Sequence, residues 1–214
     1  MIKASHHRFI YPLFCHLTRR LIKKHFHNTN VIGSFHDRGL PLLILANHTG
    51  WWDGFWILHH NLKYWNRHFF FMMLEEQLRK HWYFRHAGGF SVKRNSRSAF
   101  ESIQYAAEIL QDNRNMLLLF PQGELHSIYD RDFVFQSGTS QIIERCKNEI
   151  QILMVANLVD FYAHRRPTLY TYIEEYQSYT KNNQSLQEDN QSLQEGYREF
   201  YQKTLTHHIN SAER

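Results

Sequence analysis

His48 and Asp53 stand five residues apart in LLILANHTGWWDG, Leu42 to Gly54. An imidazole bonded through one ring nitrogen to a carboxylate is fixed in tautomer, and its other nitrogen can take a proton from a hydroxyl. The pair would then be a general base with its orienting acid. Geometry sets a condition: five residues of regular helix turn through about 500°, leaving two side chains about 140° apart. His48 can reach Asp53 only from the turn before a helix, and Gly50 permits such a bend. Sixteen histidines also make chance His and Asp pairs common, so the spacing fits a structural contact as well. A second feature is Lys93 and Arg94, two cations that end GGFSVKRN just before the helix-capping types Asn95 and Ser96. Cations beside a helix amino terminus can hold an anion; equally, such a pair can be plain solvated surface.

Several elements must position these groups. Leu42 to Ala46 is apolar without alternation, the pattern of a strand covered on both faces, and Asn47 to Gly50 end it with turn formers. His48 is thereby delivered to the carboxyl edge of a sheet, where open α/β proteins place their chemistry. Val31 to Phe35, His68 to Met73, Phe90 to Val92, Met116 to Phe120 and Ile150 to Phe161 read as further strands, and alternating Thr168 to Ile173 as an edge strand. Helices are expected over Gly54 to Asn61, Leu74 to His86 (ended by Gly88 and Gly89), Ser98 to Gln111 and Thr139 to Lys147. If the strands are parallel neighbours joined by crossover helices, the loop after Phe120 comes close to His48.

The ends differ from this core. Phe9, Ile10, Leu13, Phe14, Leu17, Leu21 and Ile22 recur at helical spacing, with Arg19, Arg20, Lys23 and Lys24 clustered late and Pro12 suited to the first turn. Such a basic amphipathic helix fits an interfacial anchor or a helix packed on the sheet. From Lys181 the chain turns polar, NQSLQED is followed at once by NQSLQEG, and a last helix is expected over Tyr197 to Asn210. The implied division is an amphipathic helix over 1–30, an α/β core over 31–178, and a polar linker with a final helix over 179–214.

A length of 214 residues suits one domain with a sizeable core, and 43% apolar residues exclude disorder. Five Trp, twelve Tyr and sixteen Phe exceed ordinary core needs and favour an apolar groove or a membrane contact. The net charge of +5 favours anionic partners. Cys15 and Cys146 have no metal-ligand spacing and read as free thiols. No histidines form a ligand set with nearby acids, so no metal is expected, and His59 with His60 reads as a surface pair. No apolar run approaches the roughly 20 residues of a spanning helix and no signal peptide is visible, so the expected location is the cytoplasm, peripheral on the inner face of the membrane. Trp51, Trp52, Phe55 and Trp56 cluster beside His48. They could line a tunnel for an apolar chain or belong to the core.

The His-x-x-x-x-Asp spacing at a strand end, preceded by Asn47, resembles the first motif of the PlsC-like glycerolipid acyltransferases, the family of the lysophosphatidic acid acyltransferases. GGFSVKRN resembles the second motif, with Arg94 at the position that contacts an acceptor phosphate. Phe120, Pro121 and Gly123 resemble the third, Phe-Pro-Glu-Gly-Thr-Arg, with Gln122 in place of the acid, Glu124 in place of Thr and Leu125 in place of Arg. Phe135 to Gly138 resembles the Phe-x-x-Gly that follows. The lost Arg makes an acceptor without a terminal phosphate credible, because a guanidinium is suited to bidentate phosphate binding.

The resemblance covers roughly residues 40 to 160. It implies a single α/β domain, a mixed central sheet flanked by helices, in which His48 held by Asp53 activates an acceptor hydroxyl for attack on an acyl thioester. Lys93, Arg94, Phe120, Pro121, Gly123 and Glu124 would bind substrate, and backbone donors near Gly123 would meet the oxyanion. The donor would be acyl-CoA or acyl carrier protein, the acceptor a lysophospholipid, and no cofactor would be permanently bound. An anionic membrane surface would be a partner. Other acceptors keep the same fold: an amino-acid-derived lyso-lipid, a glycosylated pigment, or water in a thioesterase. Outside enzymes, a lipid-binding relative and a nucleic-acid binder are the alternatives. Nucleic acid is not expected, because the aromatics fall in aliphatic strands and around His48 rather than among Lys and Arg.

Overall fold

The computed structural model describes residues 1–93, 97–177 and 186–212. Seven strands form one sheet in the order β1-β7-β6-β2-β5-β3-β4. These are β1 Asn28–Ile32, β2 Leu42–Ala46, β3 His68–Leu74, β4 Gly89–Val92, β5 Asn115–Leu119, β6 Gln151–Asp160 and β7 Thr168–Glu175. Neighbours run parallel except β6 and β7, so the sheet is mixed. Helices α1 Ile10–His25, α2 Asp53–His60, α3 Glu75–Lys80, α4 Arg97–Ile109, α5 Gly138–Arg145 and α6 Leu186–Ala212 flank it.

β2 lies between β5 and β6, and every residue of it is buried. Both faces are covered, which is why the strand tolerates no polar residue. Leu43 and Leu45 pack with α4, α5 and α6. Leu42, Ile44 and Ala46 face the opposite side, with Cys15 of α1 and Ile57 and Leu58 of α2. The register pairs Leu45 with Leu119, so β2 and β5 end together and their exit loops share one rim.

Four elements depart from the sequence expectation. The first strand spans Asn28–Ile32, earlier than Val31 to Phe35, and it rather than β7 is the sheet edge. Its half-exposed residues pair with β7, which leaves β7 interior despite its alternation. The helix expected over Leu74 to His86 breaks at His81 (φ −116°, ψ 57°) into α3 and a 3₁₀ turn, Trp82–Ala87, which brings Phe84 against Phe14 and Phe71. That turn ends at Gly88 with φ +102°, where a Cβ would lie 2.0 Å from the Phe69 carbonyl oxygen. Only glycine satisfies both constraints.

The last helix begins at Leu186 rather than Tyr197, so it contains the second copy of the duplicated heptapeptide. Polar composition hides the reason. Leu193, Tyr197, Phe200, Tyr201, Thr204 and His208 are buried at helical spacing against the sheet. The Tyr197 hydroxyl donates to Val155 O at 2.7 Å, and the Tyr201 hydroxyl to Ile128 O at 2.7 Å. Among the described residues, no helix is long and apolar enough to cross a membrane.

Candidate active site

Asn47 shapes the end of β2. Its main chain leaves the sheet, but its side-chain amide stays behind as a substitute ladder residue. Nδ2 donates to Asn157 O at 3.0 Å and Oδ1 accepts from Asn157 N at 2.8 Å. β6 therefore continues with its backbone groups satisfied while His48 swings out of the sheet. Behind this pairing runs a buried polar chain. The Thr171 hydroxyl donates to Asn157 Oδ1 at 2.8 Å and so accepts from His60 Nε2 at 2.9 Å. His60 is fully buried rather than on the surface, and desolvation pushes its pKa down to about 3, with His59 and Lys63 adding to the effect.

The turn 47–52 meets the condition that spacing imposes. His48 Nδ1 lies 2.7 Å from Asp53 Oδ2, and the fully buried Asp53 also accepts from Thr49 N (2.6 Å), Gly50 N (2.9 Å) and the Thr49 hydroxyl (3.1 Å). A carboxylate in the first turn of α2 thus reaches back to the amides that precede the helix, the logic of a capping box, and holds the imidazole with the same oxygens. With its lone pairs filled by donors, Asp53 selects the Nδ1–H tautomer of His48 and leaves Nε2 as a base. From β5's exit, Phe120 stacks on the imidazole at 4.0 Å and 13°, and His126 N donates to His48 O at 2.8 Å.

His48, its side chain 27% exposed, opens onto a cleft of about 1240 Å³. That exceeds the roughly 300–1,000 Å³ of ordinary small-molecule sites. Phe71, Met72, Met73 and Leu74 of β3, Phe84, Phe100 and Ile103 of α4, and Ile142 of α5 make much of its wall apolar. Gln77, His81, Gln136, Ser137, Thr139 and Gln141 supply polar positions.

The sequence-predicted residues divide clearly. His48, Trp51, Phe120, Pro121, Gly123 and Glu124 line the cleft, and Asp53 lies behind His48. Trp52 and Trp56 are not among the lining residues; both pack edge to face on Phe26, which follows α1. Lys93 is exposed past β4 and also lies outside the lining, and Arg94 with Asn95 and Ser96 is outside the described residues. The Gly123 amide donates to Phe120 O at 2.9 Å, so it is engaged in the turn, for which Gly123 supplies φ +74°. The apolar wall from β3 and α4 and the Asn47–Asn157 pairing have no motif in the sequence. The one available signal for the wall is that HFFFMML is aromatic on both faces, more than a strand near a sheet edge needs.

A family model described as Acyltransferase matches residues 23–157. The matched segment holds His48, Asp53, the Phe120–Gly123 turn and β6 up to Asn157, and the chain belongs to this acyltransferase family. A 1-acyl-sn-glycerol-3-phosphate acyltransferase of Streptococcus pneumoniae (strain ATCC BAA-255 / R6) is 28% identical over 106 residues, 48% of this chain. The match spans 38% of that relative's length.

Proposed function

We propose that this chain transfers a fatty acyl group from an acyl thioester, acyl-CoA or acyl carrier protein, to a hydroxyl of a lipid acceptor of the lysophospholipid kind. The observation that carries the reading is the His48–Asp53 contact at 2.7 Å on the rim of a large, mainly apolar cleft. His48 Nε2 takes the proton as the acceptor oxygen attacks the thioester carbonyl carbon. The tetrahedral intermediate collapses by breaking the C–S bond, and the proton on Nε2 passes to the leaving thiolate. No side chain is acylated along this route.

Family membership supports the chemistry, and the relative's printed activity supports a glycerolipid acceptor. Exposed Phe9, just before α1, and exposed Leu13 and Leu17 on it, followed by Lys23, Lys24 and His25 in its last turn, support lipid delivery at an anionic membrane surface. The test is acyl transfer from labelled acyl-CoA to a lyso-lipid by wild type, His48→Ala and Asp53→Asn. Both variants should lose about 10³-fold or more in kcat, and His48→Ala should retain the wild-type unfolding profile. Near-normal turnover by His48→Ala would end the assignment. Phe9→Ser with Leu13→Ser should weaken sedimentation with anionic vesicles; unchanged sedimentation would remove the membrane part alone.

A further inference from the structure

Two tyrosines of α6 reach the main chain on either side of the His48 ring, and neither belongs to a motif. Tyr197 and Tyr201 stand four residues apart, so they share one face of the helix. Their rings stack with planes 18° apart, and Phe133, from the loop after β5, packs edge to face on both at 4.9 Å and 4.6 Å.

Tyr197 acts on the residue before His48. It is fully buried, and its hydroxyl donates to Val155 O at 2.7 Å; Val155 is the partner of Ala46, the last residue of β2. The Asn47 backbone makes a hydrogen bond with the same hydroxyl. Burial pushes the phenol's pKa well above its ordinary range, Tyr201 and Asp53 push it further, and the Asn47 bond opposes them. A neutral hydroxyl therefore sits where the pairing of β2 with β6 stops. Tyr201 acts on His48 from the other side. Its hydroxyl donates to Ile128 O at 2.7 Å, in the loop whose His126 N donates to His48 O at 2.8 Å. α6 pins this loop again further on, where Gln194 Oε1 accepts from Phe135 N at 2.7 Å.

Asp53 and Phe120 hold the imidazole, but a ring is placed in the cleft only as well as the main chain that carries it. Displacing that main chain moves Nε2 away from the acceptor oxygen, and small displacements of a reacting group are costly. We infer that Tyr197 and Tyr201 are positioning residues for His48, through which α6 clamps the backbone at Asn47 and at the His48 carbonyl. The inference rests on His48 being the base of the transfer.

The experiment compares wild type with Tyr197→Phe, Tyr201→Phe and, as a control, Tyr172→Phe. The Tyr172 hydroxyl lies 3.0 Å from His208 Nδ1 of α6, and Tyr172 does not line the cleft, so its loss loosens the helix without touching either route to His48. Steady-state kinetics with labelled acyl-CoA and a lyso-lipid are joined to nitrogen NMR shifts of the His48 ring, assigned by their loss in His48→Ala. Tyr197→Phe and Tyr201→Phe should each lose roughly tenfold or more in kcat, with the KM for thioester changed by no more than about twofold. Their ring shifts should move from the Nδ1–H tautomer toward a mixture of tautomers. Tyr172→Phe should keep wild-type kcat and ring shifts even where its unfolding temperature falls as far as theirs. Should Tyr197→Phe not fold, Tyr201→Phe carries the test. Wild-type kcat and ring shifts in both variants, or the same losses in Tyr172→Phe, would overturn the inference. If the ring shifts move as expected but His48→Ala retains turnover, the clamp stands and the base assignment fails. If His48→Ala is inactive and both tyrosine variants match wild type, the base assignment stands and the clamp fails.

Discussion

The His48 imidazole lies flat on the Phe120 ring, centroids 4.0 Å apart and planes within 13°, although the two residues leave different strands. Asp53 holds one edge of the imidazole and Phe120 one face, so two independent contacts fix its plane. Parallel pairing of β2 with β5 makes this possible, because both strands deliver their last residues to one rim.

Removing the face contact should therefore uncouple base orientation from base chemistry. Phe120→Ala keeps Asp53 and its donors in place but frees the ring to tilt. A catalytic misplacement of about 1 Å can cost about 10²-fold, so kcat should fall by roughly 10–100-fold, with a smaller change in the KM for thioester. Phe120→Leu, which keeps bulk against the ring, should recover part of the loss. Steady-state kinetics of the two variants check this, and equal kinetics for Phe120→Ala and wild type would show that Asp53 alone suffices.

How much of this was readable in advance depends on how local each feature is. β2 and the His48–Asp53 condition are legible because an apolar run, a turn cluster and a fixed spacing all fall within thirteen residues. The aromatic cluster is not resolved by sequence, since Trp51, Trp52 and Trp56 have the same composition and opposite fates. Trp51 turns to the cleft, while α1 and its end claim the other two. His60 looks like a surface neighbour of His59, yet adjacent helical residues point about 100° apart, and its partner Thr171 is 111 residues distant. α6 is underestimated for a similar reason: one buried residue in three or four is enough to pack a helix whose other positions are Gln, Glu and Asn.

Asn47 carries a prediction of its own. Asn47→Ala leaves the buried N–H and C=O of Asn157 without their partners, at about 1–3 kcal/mol for each unmatched group. Unfolding in denaturant should show a loss on the order of 2–5 kcal/mol, with the midpoint moving and the slope unchanged. Since the pairing also sets where β2 releases His48, kcat should fall in whatever fraction stays folded. Asn47→Asp should not rescue, because one carboxylate oxygen would face the Asn157 carbonyl. Full stability in Asn47→Ala would mean that water or a backbone shift replaces the amide.

His60 makes the buried chain sensitive to acid. Desolvation lowers its folded pKa to about 3, against 6.5 for an exposed imidazole, so the unfolded chain binds a proton that the fold excludes. Stability from this group is complete above 6.5 and is lost as pH falls from there toward 3, with a slope of at most about 1.4 kcal/mol per pH unit. Other histidines and carboxylates titrate in the same range, so the quantity to measure is a difference. His60→Gln can still donate to Thr171 but does not titrate, and the gap between its stability and that of wild type should narrow or reverse between pH 6.5 and pH 4. Parallel stability curves for the two proteins across that window would show that His60 takes up a proton inside the fold.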